Sequence, residues 1–226
     1  FVIELWGIYA VDLGLSVKWA SCNVGATKPE EYGDYFAWGE TKPKTQYDWS
    51  TYKYCKGNYK TMTKYCYDSS YGYDGFSDNK IVLDPEDDVA TVNWGGAWRM
   101  PTGVEQQELI DNCTWTWTTQ NGVNGYKVIG PNGNSIFLPA AGCMVGESVH
   151  DVGVKGNYWS SSFGTYASHY AYLMGYNLSD KDFFYVHRCL GQSVRPICPK
   201  KEEHEYVDLG LSVKWATCNV GATKPE

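Results

Sequence analysis

The feature that most restricts the architecture of this chain is a long internal repeat. Val11 to Glu30, VDLGLSVKWASCNVGATKPE, returns as Val207 to Glu226, VDLGLSVKWATCNVGATKPE, with Ser21 against Thr217 as the single mismatch. Near-identity over twenty residues sets the period at 196, the step from Val11 to Val207, and so sets the size of the folding unit. Residues 1–199 are expected to form one ligand-binding domain, 200–205 a charged linker within PKKEEHE, and 206–226 a partial second repeat that copies 11–30. Two readings of that last segment stand side by side. It is the start of a further unit in a tandem array, or a strand that replaces 11–30 in a neighbouring molecule and drives head-to-tail self-association, since a site that accepts one copy accepts the other.

Composition narrows the partners. A net charge of -7 argues against nucleic acid and anionic membrane, both of which call for clustered Lys and Arg, and leaves proteins, glycans and small ligands. Ten Trp, nineteen Tyr and 24 Gly, without long apolar helical runs, point to strands, turns and aromatic packing. The opening FVIELWGIYA is about half a membrane span and lacks a basic leader segment, so it reads as a strand or the remnant of a longer precursor, and no membrane insertion is expected. The eight Cys include no C-x-x-C pair and no Cys-His group at zinc spacing. Cys55 with Cys66, or Cys189 with Cys198, could pair, although spacing does not decide connectivity and small buried hydrophobes are the plainer reading.

Along the chain, Gly-, Tyr- and Asp-rich segments up to Asn79 predict a long irregular loop region. Asp84, Glu86, Asp87 and Asp88 follow a short apolar run and could hold calcium, although such clusters also form helix N-terminal turns. Thr102 with Glu105 three residues on is a capping box, and predicts a helix to about Asn112 with Val104, Leu109 and Ile110 on its apolar side. Glu105, Glu108 and Asp111 share a helix face, where a paired-carboxylate hydrolase is conceivable but a cap and a solvated face are simpler. Beyond Thr114 the pattern is β. Asn-Gly pairs at 121–122, 124–125 and 132–133 mark hairpins, with strands near 115–119, 126–130, 135–139, 157–161, 169–176, 183–189 and 192–197.

The ordered blocks WASCNVGA, GDYFAWGE, GGAWRMPTGVEQQEL, NYWSSS and GQSVRPI resemble the Fibrobacter succinogenes major paralogous domain, a family of secreted and surface proteins of gut Bacteroidetes. The resemblance covers essentially the whole unit. It implies an α+β, C-type-lectin-like fold, similar to the formylglycine-generating-enzyme branch: small twisted antiparallel sheets, one or two short helices and long irregular loops. It also implies structural roles for Trp98, Arg99, Pro101, Trp159, Ser160, Ser161, Gly191, Val194, Arg195 and Pro196, with Arg195 paired inside the fold. In similar proteins diversified by retroelements, the interval between the YWSSS and SVRP blocks is the variable one. Here it holds Tyr166, His169, Tyr170, Tyr172, Tyr176, Asn177, Ser179, Asp180, Phe183, Tyr185 and His187, residue types that adenine-directed mutagenesis yields.

Strand alternation refines that set. Ala171, Leu173 and Gly175 take one parity, expected in the core, and Tyr170, Tyr172, Met174 and Tyr176 take the other, expected on display. An alternative is that the tyrosines pack under the 40–80 loop. No nucleophile elbow, HExxH or Cys-His pair is present, and the residue five before Cys189 is Phe184, a departure from the paired cysteines of the copper oxidase branch. The sugar-binding calcium triplet of animal C-type lectins is missing as well. The sequence thus points to a non-catalytic, secreted or cell-surface recognition domain, or a phage-tail one, that binds protein or glycan. A structural repeat of a filament is the second expectation and an oxidase the third.

Overall fold

A computed structural model of the protein describes residues 7–164 and 166–200, with the backbone of two short strands at 206–207 and 215–216. In chain order the strands and helices are β1 (Ala10–Asp12), β2 (Val17–Ala20), α1 (Val89–Trp94), α2 (Gly103–Asn112), β3 (Thr114–Gln120), β4 (Val123–Ile129), β5 (Ser135–Pro139), β6 (Cys143–Val145), β7 (Ser148–His150), β8 (Gly156–Phe163), β9 (Tyr170–Tyr176), β10 (Lys181–His187) and β11 (Ile197–Pro199). They form three antiparallel three-stranded sheets, β1-β2-β11, β3-β4-β5 and β10-β9-β8, and the small hairpin β6-β7. Two short helices on small antiparallel sheets make this an α+β protein. Between β2 and α1 the chain runs through nearly seventy residues of turns, bridges and 3-10 segments, as its Gly and Asp content predicts.

The core has two halves, and β8 and β9 run between them. Ala171 and Leu173 of β9, with Trp159 and Phe163 of β8, face one half together with Trp38, Met62 and Tyr65 of the long loop. Met174 and Tyr176, with Tyr158, face the other, against Leu13, Trp19, Leu109, Val128 and Leu138. A strand sandwiched in this way buries both parities, so the expected display of Tyr176 is overturned. Tyr176 is 3% exposed, stacks on Tyr158, and donates to the carbonyls of Leu138 and Pro139 at 2.7 and 2.9 Å.

Indole and phenol hydrogen bonds stitch the loop region to the sheets. Trp38 Nε1 donates to Ser160 O at 2.8 Å, Trp159 Nε1 to Phe36 O at 2.7 Å and Tyr158 OH to Pro139 O at 2.7 Å. Each polar tip thereby buries without losing a hydrogen bond. Arg195 is fully buried, as the resemblance implied, and ties three segments together through Asn23 Oδ1, Ala20 O and Phe137 O at 2.8, 3.1 and 2.9 Å. The strand expected at 192–197 is instead a pair of isolated bridges, Gln192 to Phe36 and Ser193 to Tyr158, followed by β11, whose first residue Ile197 also bridges to Arg99. That segment passes between several partners and stays beside none of them.

The capping box at α2 forms as predicted: Thr102 Oγ1 accepts from Glu105 N at 3.3 Å and Glu105 Oε2 accepts from Thr102 N at 2.8 Å. Its buried face differs from the expected one. Gln106 and Leu109 are fully buried and Val104 is 80% exposed. The register of β8 against β9 shifts between Trp159 and Phe163, and Gln106 Nε2 donates to the carbonyls of Tyr158 and Trp159 just before that irregularity.

The repeated segment lies mostly outside the described residues, as does the linker at 201–205. The part described is informative: Tyr206 pairs with Ala216 and Val207 with Trp215, the same antiparallel register in which Ala10 pairs with Ala20 and Val11 with Trp19.

Candidate functional site

The interval singled out in the sequence divides into four environments. The turn between β9 and β10 takes Asn177, Ser179 and Asp180. Asn177 Oδ1 accepts from Ser179 N, Ser179 Oγ and Asp180 N at 2.8, 3.0 and 3.0 Å, an Asx turn that shapes the hairpin. Tyr176 is in the core. His169 and His187 pack with Trp49, Tyr59 and Tyr71 of the long loop, with ring centroids of His169 and Tyr71 5.0 Å apart and of Trp49 and His187 5.5 Å apart, and Tyr170 packs on both imidazoles. His169 is buried rather than displayed. Burial, with His187 and Arg188 nearby, holds its imidazole down at about 4, and its Nδ1 has no hydrogen-bond partner.

The fourth environment is a groove. Tyr172 of β9 and Phe183 and Tyr185 of β10 form an aromatic floor, Ser162 of β8 closes one end, and Gly103, Val104 and Gln107 of the first turns of α2 form the facing wall. Its volume is about 550 Å³, within the range of small-ligand sites. Tyr172 and Tyr185 are directly opposite in the ladder, their rings 4.2 Å apart and their hydroxyls hydrogen-bonded to each other. Phe183 meets Tyr172 edge-on at 6.4 Å. Tyr166, 75% exposed, stands beside Tyr185 at 6.1 Å and extends the aromatic surface. None of the seven lining residues is charged. Strand register brings the aromatics together, and the position of α2 across the sheet supplies the wall.

Sequence reasoning found Tyr172, Phe183 and Tyr185 and missed Gly103, Val104, Gln107 and Ser162. The apolar side chain of Val104 suggests the helix core, yet it is 80% exposed. The signal that reassigns it is its position two residues after the N-cap, in a turn whose buried member is the polar Gln106.

The acidic cluster is partly assembled. Carboxylate oxygens of Asp84, Glu86 and Asp87 lie within 4.8 Å of one another. Lys64 Nζ sits among them, 2.6 Å from Asp84, 2.6 Å from Asp87 and 3.6 Å from Glu86, with Lys80 on Asp84 and Lys53 on Asp87. The ammonium groups already supply the counter-charge that a calcium ion would bring. Asp88 is turned away: as the N-cap of α1 it accepts from Ala90, Thr91 and Met100 N–H groups. The helix-face carboxylates are likewise engaged, Glu105 with Arg99 and the cap, Glu108 with Ser16 and Asp111 with Gln107. Among the described residues seven Cys are free thiols, the suggested Cys55–Cys66 and Cys189–Cys198 pairs included. Burial pushes the Cys189 thiol up to about 12, far from a reactive thiolate.

Comparison with protein-family models, with curated proteins and with solved structures finds no match. The fold and the groove together define a small α+β protein with an uncharged aromatic cleft. No helix of the described residues is long and apolar enough to cross a membrane.

Proposed function

We propose that this chain is a non-catalytic extracellular recognition domain, of the C-type-lectin-like fold and akin to the Fibrobacter succinogenes major paralogous domains, that holds a protein or glycan ligand in the Tyr172–Phe183–Tyr185 groove. The observation that carries the reading is the groove itself: three strand-borne aromatic rings and an 80% exposed valine facing one another across an open cleft without a charge in its lining. Tyr and Phe on rigid strands give contact area at small entropic cost, which suits binding. The groove pairs no carboxylates, and the thiols are not activated, so chemistry has no foothold among these side chains. Retroelement diversification of the interval remains part of this proposal, with Tyr166, Tyr172, Phe183 and Tyr185 as the positions where a changed residue would change the ligand. Capture of protein or glycan from arrays, compared between wild type and Val104→Asp, tests it. Aspartate at the rim leaves the core untouched and should abolish capture, whereas unchanged capture would remove the groove from consideration.

A second reading, a structural repeat of a surface array, is favoured by one observation. The copied segment pairs Tyr206–Val207 with Trp215–Ala216 in the register of β1 and β2, as the first hairpin of a following unit would.

A further inference from the structure

The sheet β3-β4-β5 ends at β3, whose only strand partner among the described residues is β4. The hairpin fixes which backbone groups of β3 are used. Gln120 and Val123 flank Asn121-Gly122, whose φ values of 49° and 84° are those of a type I′ turn. In such a hairpin the flanking residues exchange both hydrogen bonds, and so do Thr118 with Gly125, Thr116 with Lys127 and Thr114 with Ile129. The far side of β4 agrees. Asn124 O accepts from Ala140 N and Gly130 N donates to Asn134 O, so the even-numbered residues of β4 face β5. The N–H and C=O groups of Trp115, Trp117 and Thr119 therefore point away from the sheet, and no bond to them is made among the described residues.

The composition of this edge sets it apart. Natural edges are guarded by charges, proline or bulges. The other long edge, β10, follows that rule: Asp180 and Asp182 carboxylates accept from the N–H groups of Lys181 and Phe183 at 2.8 and 2.7 Å. The sequence of β3, TWTWTTQ, has no charge and no proline, and its pairing with β4 runs through all seven residues without a bulge.

We propose that β3 is a self-association surface, on which two copies of this chain pair antiparallel about a two-fold axis at Trp117. In that register each outward residue meets an outward residue: Trp117 its own counterpart, Trp115 the counterpart of Thr119, and Thr119 that of Trp115. Between them Thr116 lies beside the counterpart of Thr118, a β-branched cross-strand pair. A slip of one residue would set outward groups against Thr116 and Thr118, whose bonds β4 already takes, so the parity of the pairing is specified, and the axis at Trp117 is the register that pairs all three outward residues. A second copy brings the same uncharged strand to the seam, so two molecules of net charge -7 meet there without like charges on the pairing strands, with Glu30 on Gln120 and Lys181 over Trp115 at its flanks. The product is a continuous six-stranded sheet. This surface is separate from the groove and does not depend on it.

Sedimentation equilibrium of the full chain, joined to hydrogen exchange, tests the proposal. Thr116→Lys is the main variant: Thr116 is exposed and its backbone faces β4, so the hairpin stays while the seam gains a charge. Thr119→Pro is the second, removing an outward N–H that β4 does not use. The expected result is a concentration-dependent dimer, weakened about tenfold or more by Thr116→Lys, with amide exchange at Trp115, Trp117 and Thr119 slowing as concentration rises. A monomer at all concentrations would overturn it, and so would a dimer indifferent to Thr116→Lys whose three amides exchange at a constant rate. Protection that appears only with an added strand peptide of unrelated sequence would give the edge to another partner and likewise overturn self-pairing. Should Thr119→Pro not fold, the wild-type exchange data decide alone.

Discussion

Arg195 is fully buried with no carboxylate beside it, and its charge is carried by three acceptors on separate segments. Arg195→Met strands all three, and should cost about 3 kcal/mol or more, read as a lower urea midpoint at constant slope. Two other residues set the acid limit of stability. His169, held at about 4 by burial, stays neutral in the fold while the unfolded chain protonates from about 6.5 downward, so stability falls between those values. Burial opposes ionisation of Asp87, but hydrogen bonds from Lys64, Tyr54, Tyr65 and Lys53 outweigh it and bring the carboxyl down to about 2. Its stabilising effect is complete above about pH 4 and is lost as pH falls towards 2, amounting to about 2 kcal/mol. Melting temperature against pH should therefore fall in two steps, and Asp87→Asn should flatten the lower one. At this scale the sequence tells residue type better than environment. Tyr172 and Tyr176 share a strand parity, yet one lines an open groove and the other the core, because α2 and the β3-β4-β5 sheet cover different lengths of β9.

Elements defined by local chemistry were legible. The Thr102–Glu105 box and the Asn121-Gly122 turn act within a few residues, so their signatures predict α2 and the β3-β4 hairpin directly. Thr102→Ala should cost about 1 kcal/mol, measured as a shift in denaturation midpoint. Elements defined by distant partners were not legible. β6 and β7 are three residues each, and the bridges at 192–197 depend on Phe36, Tyr158 and Arg99 reaching the same place. α1 was hidden in the acidic cluster, whose last member, Asp88, is its N-cap.

For the whole molecule, the α+β character that the resemblance implies is observed in two short helices on small antiparallel sheets, and the aromatic, turn-rich composition agrees with it, while the repeat period supplies the expected size of the unit. The groove was half legible: its floor residues lie in the interval that the resemblance singles out, but its wall needs α2 laid across β9 and β10, a long-range arrangement with no local signature. If the copied segment begins a further unit, as its register suggests, removal of 201–226 should leave melting temperature and self-association unchanged; a loss of either would favour strand exchange. The central claim, that the groove is where a ligand binds, is tested most directly by titrating an array-identified ligand against wild type, Tyr172→Ala/Phe183→Ala and the separate Tyr170→Ala, each checked for fold by circular dichroism. The double variant should bind about tenfold more weakly or not at all, and Tyr170→Ala, outside the groove lining, should bind as wild type. Wild-type affinity in the folded double variant would contradict the account.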